Sequence, residues 1–180
     1  MDLRKLLPEV FFVLIACGLL EILAGFALSR MESILESLPG LLIMVPPMMD
    51  LRGDINGSFA SRLGSGIHMG IIDFRSGDEI TENLKAVIFL SLVVPALIAV
   101  FSYSVCSIFG ISSMGLLDLL FIAVCTGIVS SMVLSILCII VSYGTFVSGI
   151  DPDNITIPVL ATVGDFITLS AMFAFAAVVA

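Results

Sequence analysis

Long apolar stretches alternate with short polar connections along almost the whole chain. Five of these stretches come close to, or exceed, the roughly 20 residues that a helix needs to cross a bilayer. They lie at about residues 9–28, 32–50, 85–109, 115–143 and 154–180. The pattern predicts an all-α membrane protein with five transmembrane helices.

Composition supports this prediction and argues against some classes of partner. Hydrophobic residues make up 59% of the chain and charged residues 12%, with a mean hydropathy of +1.23. A soluble domain of this size does not need so much apolar surface, so we expect one membrane domain covering residues 1–180. The net charge is −8, from 15 acidic and 7 basic residues. This balance argues against nucleic acid as a partner and favours cations.

The second apolar stretch ends in an unusual way. Pro46 and Pro47 remove two backbone donors, and polar residues with Gly53 and Gly57 follow them. One interpretation is a broken helix whose open backbone and carboxylates, Asp50 and Asp54, line an aqueous path. The other is that the span simply ends and a cytoplasmic loop begins.

The fifth stretch carries polar residues at helical spacing. Asp151 and Pro152 resemble a helix start, and the following polar or helix-perturbing positions fall on one face of a helix: Asn154, Pro158, Thr162, Asp165 and Thr168. Asp165 lies 11 residues beyond Asn154, which is about 16 Å along a helix and so near the bilayer midplane.

A carboxylate at that depth costs at least ~2.5 kcal/mol and needs a partner. The apolar stretches hold almost no basic residue, so we expect no buried salt bridge for Asp165. A bound cation or a proton is the remaining partner. The alternative is a structural Asp that is protonated or solvated by water.

Basic residues predict the orientation in the membrane. Arg4 and Lys5 precede the first stretch, and Arg62, Arg75 and Lys85 lie between the second and third. This distribution places the N-terminus in the cytoplasm and the C-terminus outside, in the cell membrane.

Two segments resemble the magnesium transporters of the MgtE and solute carrier family 41 group. The first is PPMMDLRGDINGSFASRLGSG, residues 46–66, and the second is DPDNITIPVLATVGDFITLS, residues 151–170. The resemblance covers essentially the whole chain, as a single-repeat membrane domain without the cytosolic sensor domains of the bacterial members.

The resemblance implies a homodimer with the ion path between its subunits. It also implies that Asp165 binds hydrated Mg2+ on the central axis, with Asp151, Asp153, Asn154 and Pro158 at matching motif positions. Asp54 departs from the family pattern, which has Asn after the glycine at 53. The full set of expected ion ligands is Asp50, Asp54, Asp151, Asp153, Asn154, Thr162 and Asp165, with helix breaks expected at Pro46, Pro47, Gly53, Gly57 and Pro158.

Physical chemistry agrees with a magnesium path. Mg2+ prefers oxygen ligands and keeps its water shell, and clustered Cys or His ligands for softer metals are missing from the sequence. Co2+ and Mn2+ remain alternative cargoes. We expect no enzymatic activity, no organic substrate and no cofactor beyond the transported ion.

Other functions remain open at this point. A Na+- or H+-coupled exchanger would use the same ligands, and a structural subunit would use none. The pairs Gly53-Asp54 and Gly164-Asp165 leave an intramembrane aspartyl protease as a remote alternative.

Overall fold

The computed structural model of the chain describes residues 3–30, 38, 40–71, 77–149 and 151–179. The described residues form five helices and are otherwise turns and irregular segments. The helices are α1 (Leu3–Arg30), α2 (Leu41–His68), α3 (Asp78–Phe109), α4 (Leu116–Val147) and α5 (Pro152–Val179). The all-α prediction is therefore confirmed.

Among the described residues, three helices are long and apolar enough to cross a membrane: α3, α4 and the Asn154–Val179 part of α5. The apolar part of α1, Val10–Phe26, is shorter. Large apolar side chains point outward on these helices; Phe12 is 71% exposed, Ile108 78% and Leu117 80%. Such exposure is unfavourable in water and normal against lipid, so it agrees with a membrane protein.

The second helix differs from its prediction. The predicted break at Pro46 and Pro47 is wrong, because α2 begins at Leu41 and continues through both prolines to His68. The prolines leave only the carbonyls of Leu42 and Ile43 without their usual helical donors, close to the start of the helix. Of the predicted 32–50 span, residues 32–37 and 39 lie outside the described part of the chain.

Burial explains why α2 continues beyond the predicted end. Buried residues recur every three or four positions along the helix: Leu41, Met44, Met48, Leu51, Ile55, Phe59, Leu63 and Ile67. The free energy gained by packing this stripe exceeds the cost of the two missing backbone hydrogen bonds, so the helix continues. Gly53 and Gly57 lie inside the same helix and Pro158 lies inside α5, so none of these predicted breaks interrupts a helix.

Three helices, α2, α4 and α5, each pack against three others. The α2 helix packs against α3, α4 and α5, while α4 also packs against α3 and α5, and α1 packs against α5. One side of α2 is left uncovered next to α5, and its exposed residues include Pro46, Asp50 and Gly53. This arrangement places polar residues of two helices on a shared open face.

The contact between α3 and α4 depends on a glycine. A Cβ atom at Gly127 would clash with the ring of Pro95 and lie 2.7 Å from the backbone oxygen of Ser91. Gly127 therefore lets the α4 backbone approach α3 closely, as small residues do in membrane helix pairs.

We predict that Gly127→Ala destabilises the protein by about 1–3 kcal/mol, because the added methyl group must displace backbone. Thermal melting in detergent measures the effect. Gly144→Ala in the same helix is the matched control, since a Cβ there meets no atom within 4 Å. Equal melting temperatures for the two variants would contradict the assigned role of Gly127.

Candidate functional site

The open face between α2 and α5 contains a cavity of about 350 Å3. Its walls are Pro46, Met49, Asp50, Gly53, Ala161 and Asp165. On α2 these positions recur at three- and four-residue intervals, and on α5 they are four apart, so each helix contributes one face. The cavity thus brings together Asp50 and Asp165, two of the predicted ligands.

Asp165 has a basic partner on α2. Nη2 of Arg52 donates to Oδ1 of Asp165 at 2.7 Å. Arg52 is 4% exposed and Asp165 is 27% exposed. The expectation that Asp165 has no buried salt bridge was therefore wrong; it failed because residue 52 lies beyond the predicted end of the second span, whereas the helix continues to His68.

The guanidinium of Arg52 is held by its own helix as well. Nη2 also donates to the carbonyl of Met49 at 2.7 Å, and Nε donates to the carbonyl of Met48 at 3.4 Å. A Cβ atom at Gly164 would lie 2.6 Å from Nη1. The glycine before Asp165 therefore provides the space into which the guanidinium fits.

Thr162 faces away from this cavity. Its hydroxyl donates to Oε1 of Glu21 on α1 at 3.3 Å and to the carbonyl of Pro158 at 3.1 Å. It lines a separate, mostly apolar pocket between α1 and α5 with Leu20 and Phe166. Its role as an ion ligand stays a prediction.

Asp54 lines a different groove, between α2 and α3, of about 380 Å3. Arg62 and Asn83 lie in the same groove, where Nη1 of Arg62 donates to Oδ1 of Asn83 at 3.3 Å. Asp54 and Asp165 thus open into different spaces of one chain. A protease dyad needs two carboxylates that share a proton, and these two do not form one within the chain.

The residues at the start of α5 lie far along the helix from Asp165. Oδ1 of Asp151 is 3.4 Å from Nε2 of His68, at the end of α2. Asn154 is half-buried in the first turn of α5, and the side chain of Asp153 lies outside the described part of the chain. Within the described residues, no three Asp, Glu, His or Cys side chains form a group that could hold a metal ion.

Sequence reasoning missed Arg52 and Asn56. Asn56 is fully buried and donates to the carbonyl of Ser131 at 3.3 Å and to the hydroxyl of Ser135 at 3.2 Å. Both residues immediately follow members of the buried stripe, Leu51 and Ile55. The three- and four-residue spacing of that stripe was the available signal that residue 52 faces the interior.

Comparison with known proteins identifies the family. A family model described as MgtE, divalent cation transporter, matches residues 45–175, which include α3, α4 and most of α2 and α5.

The chain is also similar to several members of solute carrier family 41. Solute carrier family 41 member 3 of Rattus norvegicus is 31% identical over 172 residues, or 91% of this chain and 37% of the relative. The Mus musculus member 3 is 32% identical over 157 residues (83% of this chain, 32% of the relative), and Homo sapiens member 2 is 28% identical over 187 residues (96% and 30%). The chain spans about a third of the length of these relatives. With more than half of its length matched by the family model, the chain belongs to the MgtE family of divalent cation transporters.

Proposed function

We propose that this protein moves hydrated Mg2+ across a cell membrane, through a path that runs along the open faces of α2 and α5. The observation that carries the proposal is the cavity in which Asp50 and Asp165 line opposite helices. Membership of a divalent cation transporter family supports the class of cargo. Mg2+ loses its hydration shell reluctantly, so carboxylates that accept hydrogen bonds from the waters of the hydrated ion suit it.

Asp165 is the central ligand in this proposal. Oδ1 accepts from Arg52, and among the described residues no side chain or backbone group donates to Oδ2. The second oxygen is therefore available to accept a hydrogen bond from a water of the hydrated ion. Asp50, one helix away, contributes a second carboxylate to the same space.

A second copy of the chain completes the path in this proposal. In a single subunit the exposed carboxylate of Asp50 would face lipid at the open side of the cavity, which is costly. Two small residues follow Asp50 on α2: Gly53 is exposed and Gly57 is half-exposed. A methyl group added at either position would meet no atom within 4 Å. A two-fold dimer that buries this face removes the carboxylate from lipid and lets the backbones approach.

A coupled exchanger is the second candidate. One observation favours it: Asp165 is already paired with the Arg52 guanidinium, and a carboxylate that accepts a positive partner within the chain can accept a proton or Na+ in exchange for Mg2+. Mg2+ uptake into liposomes with and without a Na+ or proton gradient separates the two candidates, since a channel needs neither gradient.

We predict that Asp165→Asn lowers Mg2+ uptake into proteoliposomes by about 10- to 100-fold, because a charge-assisted contact with the ion is lost. The Mg2+-dependent rise in melting temperature should shrink in parallel. Asn keeps a carbonyl oxygen that can accept from Arg52, but the buried guanidinium loses its counter-charge, so the melting temperature without Mg2+ should fall as well.

Two further variants accompany this test. Asp50→Asn removes a charge from the cavity without unpairing Arg52 and should weaken uptake in the same direction. Asp78→Asn, at the exposed start of α3, is the control and should behave as the wild type. Wild-type uptake and melting shifts in both cavity variants would place the ion elsewhere.

The dimer predicts a specific crosslink. In a cysteine-free background, Ala161→Cys should join to its copy through a short linker, because Ala161 lines the cavity. Ser170→Cys is the control: it is also exposed, but nine residues further along it lies on the opposite side of α5. A crosslink at residue 170 with none at residue 161 would contradict the proposed interface.

The orientation is tested by labelling single cysteines in intact cells. Thr81→Cys and Ser112→Cys are exposed positions that flank most of α3, so a membrane-impermeant reagent should reach residue 112 from outside and residue 81 only after the cells are opened. Labelling of both from the same side would show that α3 does not cross the membrane.

A further inference from the structure

Arg52 does not line the cavity, although it is bonded to Asp165, which does. Three acceptors fix its guanidinium: the carbonyls of Met48 and Met49, and Oδ1 of Asp165. Because the side chain is 4% exposed, it is a fixed charge and not a mobile surface group.

The net charge at the cavity follows from three side chains of each subunit. Asp50 and Asp165 are the two carboxylates among the lining residues, and Arg52 is the cation bonded to one of them. Each subunit therefore contributes a net charge of −1, and two subunits that face each other contribute −2. One divalent cation balances that charge. Without Arg52 the same site would carry −4.

We infer that Arg52 sets the affinity of the path for divalent cations and positions its central ligand. It holds Oδ1 of Asp165 so that Oδ2 faces the cavity, and its fixed positive charge weakens ion binding enough for the ion to be released. This inference rests on the proposed function, because it assigns Arg52 a role at the same site.

Electrostatics gives the size of the effect. A hydrated Mg2+ next to Oδ2 would lie roughly 7 Å from the guanidinium, given the size of its water shell. Repulsion between charges of +1 and +2 at that distance corresponds to about tenfold in affinity, even with the screening of bulk water. A binding site that is tighter by this factor also releases its ion more slowly, since most affinity changes appear in the dissociation rate.

The main test is Mg2+ uptake by the purified full chain in liposomes, with Arg52→Gln. Gln keeps an amide donor for Asp165 but removes the charge, so we expect KM for Mg2+ to fall about tenfold and the maximal rate to fall with it. The Mg2+ concentration that gives half of the melting-temperature shift should fall by a similar factor. Arg52→Lys keeps the charge and should keep KM within about threefold of the wild type.

A charge-balancing variant makes the test specific. Asp50→Asn should raise KM, and the combination Arg52→Gln with Asp50→Asn restores the net charge and should return KM close to the wild-type value. A purely structural role for Arg52 would lower the melting temperature without Mg2+ and would leave KM unchanged. It would also give no compensation by Asp50→Asn.

A second variant keeps the inference testable if Arg52→Gln does not fold. Ala161→Asp adds a carboxylate to the same cavity and leaves Arg52 in place, so it should also lower KM. An unchanged or raised KM in Arg52→Gln, or in Ala161→Asp where the first variant is not recovered, overturns the inference. If Asp165→Asn still abolishes uptake in that case, the proposed function stands alone; wild-type uptake by Asp165→Asn would instead overturn the proposed function.

Discussion

The arrangement of the site depends on one buried charge, the guanidinium of Arg52 between α2 and α5. A buried arginine is tolerated only when acceptors surround it, and removing one partner of such a pair typically costs about 3–5 kcal/mol. Here two carbonyls of α2 and the carboxylate of Asp165 supply those acceptors. This requirement fixes the rotation of both helices about their axes, and so decides that Asp50 and Asp165 face the same cavity.

Other polar contacts link the same helices inside the apolar core. Asn56 joins α2 to α4 through Ser131 and Ser135, and the hydroxyl of Ser142 on α4 donates to that of Thr156 on α5 at 3.3 Å. Because lipid provides little hydrophobic driving force for helix association, hydrogen bonds and close packing of small residues supply the specificity. The polar residues of this chain therefore serve two purposes, holding helices together and lining the cavity.

The sequence predicted most of the helices but not the ion pair between Arg52 and Asp165. The class of fold and the positions of α3, α4 and α5 follow from long apolar stretches, which few other structures can produce. The extent of α2 was wrong because Pro46, Pro47 and several glycines were given more weight than the apolar residues at three- and four-residue spacing. That error carried over to Arg52, since a residue beyond the predicted end of the span is not expected to pair with a carboxylate inside another span, 113 positions away.

The polar stripe of α5 shows why spacing alone could not tell which of its residues borders the cavity. At 3.6 residues per turn, the positions from Asn154 to Thr168 spread over about 120° of the helix surface. Thr162 lies at one edge of that arc and reaches Glu21 on α1, whereas Thr168 lies at the other edge and is fully buried. Asp165 lies between them, and of these three it is the one that borders the cavity with α2. Thr162 bonds to α1 instead, so the contacts of each polar residue depend on which helix packs against its part of the arc.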